Sequence, residues 1–129
     1  MKLKVMSFNM RVHSQSDGIN AFFNRTEKIR AMLLSEMPDV VGTQEVTDEM
    51  SDLLFDTVRD AFTVIGTGRE KDRSGEGTRI LYNHKKLLLA RLETKWLSET
   101  PDVPESRFTA DQSAYPRVYT LAEFVDKKS

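Results

Sequence analysis

Cysteine is absent from the 129-residue chain. Disulfides and thiolate-held metals are therefore excluded, and a reducing compartment suits the sequence. Long apolar runs are missing as well. The longest unbroken aliphatic stretch is Leu87-Leu88-Leu89-Ala90, far short of the roughly 20 residues that span a bilayer as a helix. No membrane segment is expected. The opening Met1-Lys2-Leu3-Lys4-Val5 alternates like a strand and lacks the apolar centre of a signal peptide, so a cytoplasmic location is the expectation. There is no excess of positive charge: 19 Lys and Arg face 20 Asp and Glu, for a net charge of −1. No overall field would hold nucleic acid by phosphate attraction, which disfavours it as a partner but leaves room for a small phosphate site. Repeats, low-complexity tracts and linkers are also lacking.

What is present is an ordinary globular balance, 39% hydrophobic and 30% charged, with length enough for one core. Residues 3–9 read as a strand. Leu3, Val5 and Ser7 share one face with Asn9, and Met6, Phe8 and Met10 take the other. Apolar residues on both faces suggest a central strand. A polar loop covers 13–18. Ile29, Met32, Leu33 and Met37 recur at helical spacing, and Pro38 stops that helix, because the residue before proline is pushed out of the α region. A second strand follows at once. Thr47 caps the next helix, with Asp48 and Glu49 in its first turn and an apolar stripe from Met50, Leu53, Leu54, Val58 and Ala61. Strands are predicted over 62–65, 78–82, 87–97 and 118–125. A polar, glycine-bearing loop spans 66–77, and prolines mark an extended stretch over 101–116.

The first strand closes on Ser7-Phe8-Asn9 and the second on Gly42-Thr43-Gln44-Glu45, with a helix between. Such a crossover makes two strands parallel neighbours in most cases. Asn9 and Glu45 then sit together at carboxyl ends, the edge where open α/β sheets bind ligands. An amide oxygen beside a carboxylate suits a hard cation such as Mg²⁺. The order βαβαβ followed by hairpin-like strands predicts a mixed sheet with helices on one face.

These segments together resemble the endonuclease/exonuclease/phosphatase superfamily. Ser7-Phe8-Asn9 is similar to its opening S-x-N strand end, and Pro38-Asp39-Val40-Val41-Gly42-Thr43-Gln44-Glu45 to its PDV-x-x-x-QE segment. Gly75-Glu76 followed by Ile80-Leu81-Tyr82 resembles the next landmark. Trp96-Leu97-Ser98-Glu99-Thr100-Pro101 and Arg117 resemble a bacterial branch. The resemblance implies an α/β fold of the α+β sandwich type, one half of a two-sheet, four-layer sandwich. Residues 1–129 would be the amino-terminal half of the domain. It implies hydrolysis of phosphate esters assisted by Mg²⁺, with Mn²⁺ as a substitute. Glu45 would be a catalytic carboxylate and the metal ligand, and Asn9 would stand beside it as a second catalytic residue. Glu76 and Arg117 would line the substrate side.

The family's second-half motifs do not occur here: a strand-end histidine, a GD-x-N segment and a terminal S-D-H segment. The parent protein is thus expected to be a phosphoesterase, and this chain by itself to be nearly inactive. The alternative is a non-catalytic binding or self-associating module, a homodimer through the sheet face that the other half would cover. Substrates stay open among nucleic acid, sugar phosphate, inositol phosphate and phospholipid headgroup.

Several residues read more plainly. Gly66-Thr67-Gly68 is expected to be an ordinary loop. Arg69, Lys71 and Arg73 are offset by Glu70, Asp72 and Glu76, as on a solvated loop; contact with an anionic substrate is the alternative. His13 and His84 fall in surface-like segments, and Trp96 is expected to pack. Arg117 either clamps a phosphate bidentately or pairs with one of the many acids.

Overall fold

The computed structural model describes residues 2–108 and 114–128. Eight elements follow in order: β1 (Val5–Asn9), α1 (Thr26–Glu36), β2 (Val40–Gln44), α2 (Asp48–Val58), β3 (Phe62–Ile65), β4 (Ile80–Asn83), β5 (Leu87–Trp96) and β6 (Val118–Asp126). Two short 3-10 turns, Gln15–Asn20 and Phe22–Asn24, fill the segment read as a polar loop and extend beyond it. α1 stops where Met37 turns left-handed (φ 43°) and gives its N–H to the Leu33 carbonyl. Pro38 bars any further turn. α2 starts on Thr47, whose side chain accepts from the Met50 N–H, satisfying a donor that the helix start leaves open.

β1, β2, β4 and β3 form one mixed sheet in that order, with β1 parallel to β2 and the other pairs antiparallel. Val41 of β2, Leu81 of β4 and Phe62 of β3 bury one sheet face against Ile29 and Leu33 of α1 and Met50, Leu54 and Val58 of α2. Each such side chain contributes about 1.5–3 kcal/mol by leaving water. The expected layer of helices on one face is therefore what forms.

β1 is not the central strand its pattern suggested. Among the described residues it has a single neighbour, β2. Met6 and Phe8 pack on the helix-side core, while Val5 on the opposite face is 65% exposed. Apolar residues on both faces here reflect one covered face and one open face.

β5 and β6 do not extend that sheet. They pair with each other, from Leu87 opposite Asp126 to Trp96 opposite Val118, with an irregularity between Leu89 and Arg91. The contacts that tie the ribbon to the rest of the chain include two between side chains. The Phe124 and Tyr82 rings lie 5.0 Å apart, and the Thr120 and Thr78 hydroxyls are 3.1 Å apart. Trp96 is buried, as expected, and donates its indole N–H to the Arg69 carbonyl at 2.8 Å. Arg117 is thereby carried to the edge where β2 ends. Part of the proline-marked stretch, 109–113, lies outside the described residues.

At the amino end of the strands, Asp39 acts as a latch. Its buried carboxylate accepts the Lys4 backbone N–H at 2.7 Å and pairs with the Lys86 ammonium at 2.9 Å. Burial pushes the Asp39 carboxyl up. The Lys4 N–H and the Lys86 charge outweigh that and hold it below its ordinary range.

Candidate functional site

Asn9 closes β1 opposite Gln44, the last residue of β2. Just past both strand ends the backbone turns left-handed, at Arg11 (φ 61°) and at Glu45 (φ 63°). Such conformations in residues other than glycine cost on the order of 1–3 kcal/mol and gather at functional sites. The turn at Glu45 swings its carboxylate back over the end of β1. Oε2 accepts the Val12 N–H at 2.9 Å, and Oε1 lies 3.5 Å from Asn9 Nδ2. The two residues expected to meet do meet.

The chemistry of the pair differs from the expected one. Asn9 Oδ1 accepts the Arg11 N–H at 2.8 Å, so the amide turns its nitrogen, not its oxygen, toward Glu45. A carboxylate is acceptor-only, and the amide has one donor end to offer it. Asn9 therefore orients Glu45 and presents no oxygen beside it. Nearby, a hydrogen bond to Asp17 and the Asp17 charge, with a smaller pull from Glu45, hold the Arg11 guanidinium above its ordinary range.

A cleft of about 260 Å³ opens over these strand ends. Its wall includes Asn9, Gln44, Glu45, Arg69, Glu76, Gly77, Thr78, Arg117 and Val118. Asn9, Glu45, Glu76 and Arg117, the four residues singled out in the sequence, thus face one space. The 66–77 loop forms a side of it. Gly77 and Val46 exchange backbone hydrogen bonds of 2.8 and 3.3 Å, which dock the loop on the chain just past Glu45.

Arg79 locks this arrangement from beneath. It is 5% exposed. Nη1 donates to the Gly66 carbonyl (2.7 Å), Nε to the Val46 carbonyl (3.4 Å), and Nη2 to both the Gly75 carbonyl (3.0 Å) and Asp48 Oδ1 (2.7 Å). One guanidinium joins the ends of β2 and β3, the loop and the start of α2.

No protein-family model matches the chain. An uncharacterized protein of Acanthamoeba polyphaga mimivirus is 27% identical over 134 residues, 98% of this chain and 50% of its own length. An endonuclease/exonuclease/phosphatase from Bacteroides vulgatus is similar at TM-score 0.91 and 26% identity, over 98% of this chain and 48% of that one. A mannosyl-6-phosphatase from Bacteroides thetaiotaomicron is similar at TM-score 0.89 and 29% identity, over 99% and 48%. The chain shares the endonuclease/exonuclease/phosphatase fold. It spans about half the length of the curated relative and of these structures. The fold is that of phosphoesterases.

Within this endonuclease/exonuclease/phosphatase fold a divalent metal is the implied group, and the cleft can be tested for it. Among the described residues, no cluster of three or more His, Asp or Glu gathers at one point. The carboxylates on the cleft are Glu45, with one oxygen committed to Val12, and Glu76, paired with Arg69 at 3.0 Å. Mg²⁺ commonly takes one or two carboxylates, with waters and phosphate oxygens completing its shell. The donor set fits such a sparse site.

Sequence reading ranked one cleft residue low and missed a second residue outright. Arg69 is no solvated loop charge; its side chain is 13% exposed and lines the cleft. Alternating signs over 69–76 hid it, because composition cannot tell an internal ion pair from a hydrated one. Arg79 was passed over as part of a strand. An arginine entering a short apolar strand was the available signal, since buried arginines are rare without partners. The two histidines are engaged structurally. The His13 ring stacks on Phe23 at 3.7 Å, and His84 Nδ1 lies 3.0 Å from the Thr63 hydroxyl. Among the described residues no helix is long and apolar enough to cross a membrane.

Proposed function

We propose that the chain is the amino-terminal half of an endonuclease/exonuclease/phosphatase domain whose parent protein hydrolyses phosphate esters with Mg²⁺, or with Mn²⁺ as a substitute. The convergence of Asn9, Glu45, Glu76 and Arg117 on one cleft at the carboxyl ends of β1 and β2 carries this reading. Glu45 would hold the ion, with Asn9 fixing the orientation of its carboxylate. When bound, the ion supplies charge neutralisation at the phosphoryl oxygens. Arg117, with its five donors, would receive a non-bridging phosphate oxygen. Glu76 would hold the Arg69 guanidinium at the cleft. The likeness to a mannosyl-6-phosphatase favours a sugar phosphomonoester as substrate.

The cleft lining includes no histidine. Lack of a general base typically costs about 10²–10⁴ in rate, so the isolated chain should turn over little. Phosphomonoesterase and phosphodiesterase assays with Mg²⁺, alongside Mg²⁺ titration of the wild type and Glu45→Gln, test the reading. Weak Mg²⁺ binding that vanishes in Glu45→Gln, with little turnover, is the expected outcome. Robust turnover would contradict the half-domain assignment, and Mg²⁺ binding untouched by Glu45→Gln would contradict the metal role.

A second reading, self-association, is favoured by one observation. Leu88 and its partner Val125 are exposed together on the ribbon, at 57% and 45%. Light scattering separates the readings, because a monomer at high concentration contradicts association.

A further inference from the structure

Arg69 and Arg79 lie ten positions apart and use their guanidinium groups in opposite ways. Arg79 gives every nitrogen to a carbonyl or a carboxylate. Such an arginine is a structural brace. The Arg69 backbone is fixed just as firmly: its N–H donates to the Glu76 carbonyl at 2.9 Å, and its carbonyl accepts from Trp96. Its side chain is buried nearly as deeply. Nη2 meets the Glu76 carboxylate at 3.0 Å, the Tyr115 ring covers the group at 4.9 Å, and Nε stands 3.8 Å from Glu70 Oε1. Among the described residues, that buried Nε has no hydrogen-bond partner.

A guanidinium held away from water with an unfilled donor is unfavourable unless something completes it. Arg69 also lines the cleft that Glu45 and Arg117 share. A guanidinium presents its donors as a planar fork that matches the oxygens of phosphate. A fixed backbone, a carboxylate brace and an aromatic cover set the group in place before any ligand arrives.

We propose that Arg69 is an oxyanion-binding residue, which takes a non-bridging oxygen of the substrate phosphate in the cleft that it lines with Arg117, with Glu76 as its positioning carboxylate. This rests on the reading of the cleft as a phosphate-ester site, and it singles out Arg69 among the loop cations whose contact with an anionic substrate was only the alternative in the sequence.

The test uses the 129-residue chain with inorganic phosphate as the probe. Phosphate affinity is measured by calorimetry, and the Arg69 Nε–H resonance is followed by NMR. Mg²⁺ affinity and thermal unfolding are recorded in parallel. Arg69→Ala should weaken phosphate binding by about tenfold or more, and Arg69→Lys, which keeps charge but loses the fork, should fall between. Mg²⁺ affinity should stay within about twofold, because the ion is assigned to Glu45. The Arg69 Nε–H signal should shift as phosphate saturates. If Arg69→Ala fails to fold, the lysine variant and the wild-type resonance decide the matter. Phosphate affinity unchanged in the Arg69 variants, an unmoved Nε–H signal, or no phosphate binding by the wild type would each overturn the proposal. Loss of the metal role in Glu45→Gln experiments, with Arg69-dependent phosphate binding intact, would strike the parent reading alone.

Discussion

Arg79 Nη2 lies 2.7 Å from Asp48 Oδ1, and through this pair the first turn of α2 grips the loop that carries Arg69 and Glu76. The guanidinium is buried, whereas Asp48 is half exposed, so the two ends of the pair are not equivalent. Arg79→Met leaves the part-buried carbonyls of Gly66 and Gly75 without their donor, each worth on the order of 1–3 kcal/mol when unsatisfied, while the Val46 carbonyl keeps the Gly77 N–H. The variant should lose several kcal/mol in urea unfolding. Asp48→Asn, at the wet end, should lose less than about 1 kcal/mol. Equal losses would contradict this account of the brace.

The Asn9 amide lends Glu45 a donor, so changing its chemistry should separate stability from metal affinity. Asn9→Asp sets a second carboxylate beside Glu45 at roughly the present 3.5 Å. Like charges this close repel by on the order of 1 kcal/mol in a wet setting. Without metal the variant should be less stable. With millimolar Mg²⁺ it should recover more stability than the wild type does, because two carboxylates hold the ion better than one. Paired urea melts with and without Mg²⁺ read both effects.

The Asp39 latch predicts a pH dependence. Its carboxyl is held below its ordinary range in the folded chain. The ionised form is therefore the stabilised one. Its contribution is fully present above the unfolded value near 3.8 and is lost as pH falls through the lower folded value. Asp39→Asn should cost about 1–3 kcal/mol near neutral pH. The gap between variant and wild type should close in the acid range below about pH 4. Urea melts across pH 2.5–7 (about that range) follow it, and a constant gap would rule the latch out as an electrostatic device.

Gly68 gives a steric prediction. A Cβ built there would meet the Ser74 carbonyl oxygen at 1.9 Å, a backbone atom that cannot swing aside. Gly68→Ala must open the 66–77 loop and carry Arg69 with it. A stability loss of about 1–3 kcal/mol is expected, together with weaker phosphate binding. Gly18 has nothing within 4 Å but carries a positive φ of 58°, so Gly18→Ala should cost only the smaller backbone penalty.

Much of this fold was legible because its signals are local. Pro38 after a 3.6-residue apolar period placed the end of α1, and Thr47 before two acids placed the start of α2. The meeting of Asn9 and Glu45 followed from the crossover rule alone. Pairing beyond neighbours was less legible. Nothing near Leu87 says that its partner is Asp126 rather than a residue of β4, because register in a ribbon is chosen by tertiary packing. The rotation of the Asn9 amide was equally hidden: Arg11's N–H decides it, and that depends on a left-handed turn for which Arg11 carries no sequence signature. Arg69 reads first as a solvated charge because its acid partners are also its neighbours in sequence.

The β1–β2 register carries a consequence for how such a chain can change length. Asn9 and Glu45, 36 positions apart, meet because five rungs align Val5–Asn9 with Val40–Gln44. Extra residues in the turn over 15–20, which buries no side chain, would lengthen the excursion between the rungs and leave the pair where it is. A single residue added between 40 and 44 would invert which side chains look toward the helices and push Glu45 off the end of its rail. Drift in size is therefore cheap in one stretch of the chain and ruinous in another, fewer than thirty positions away.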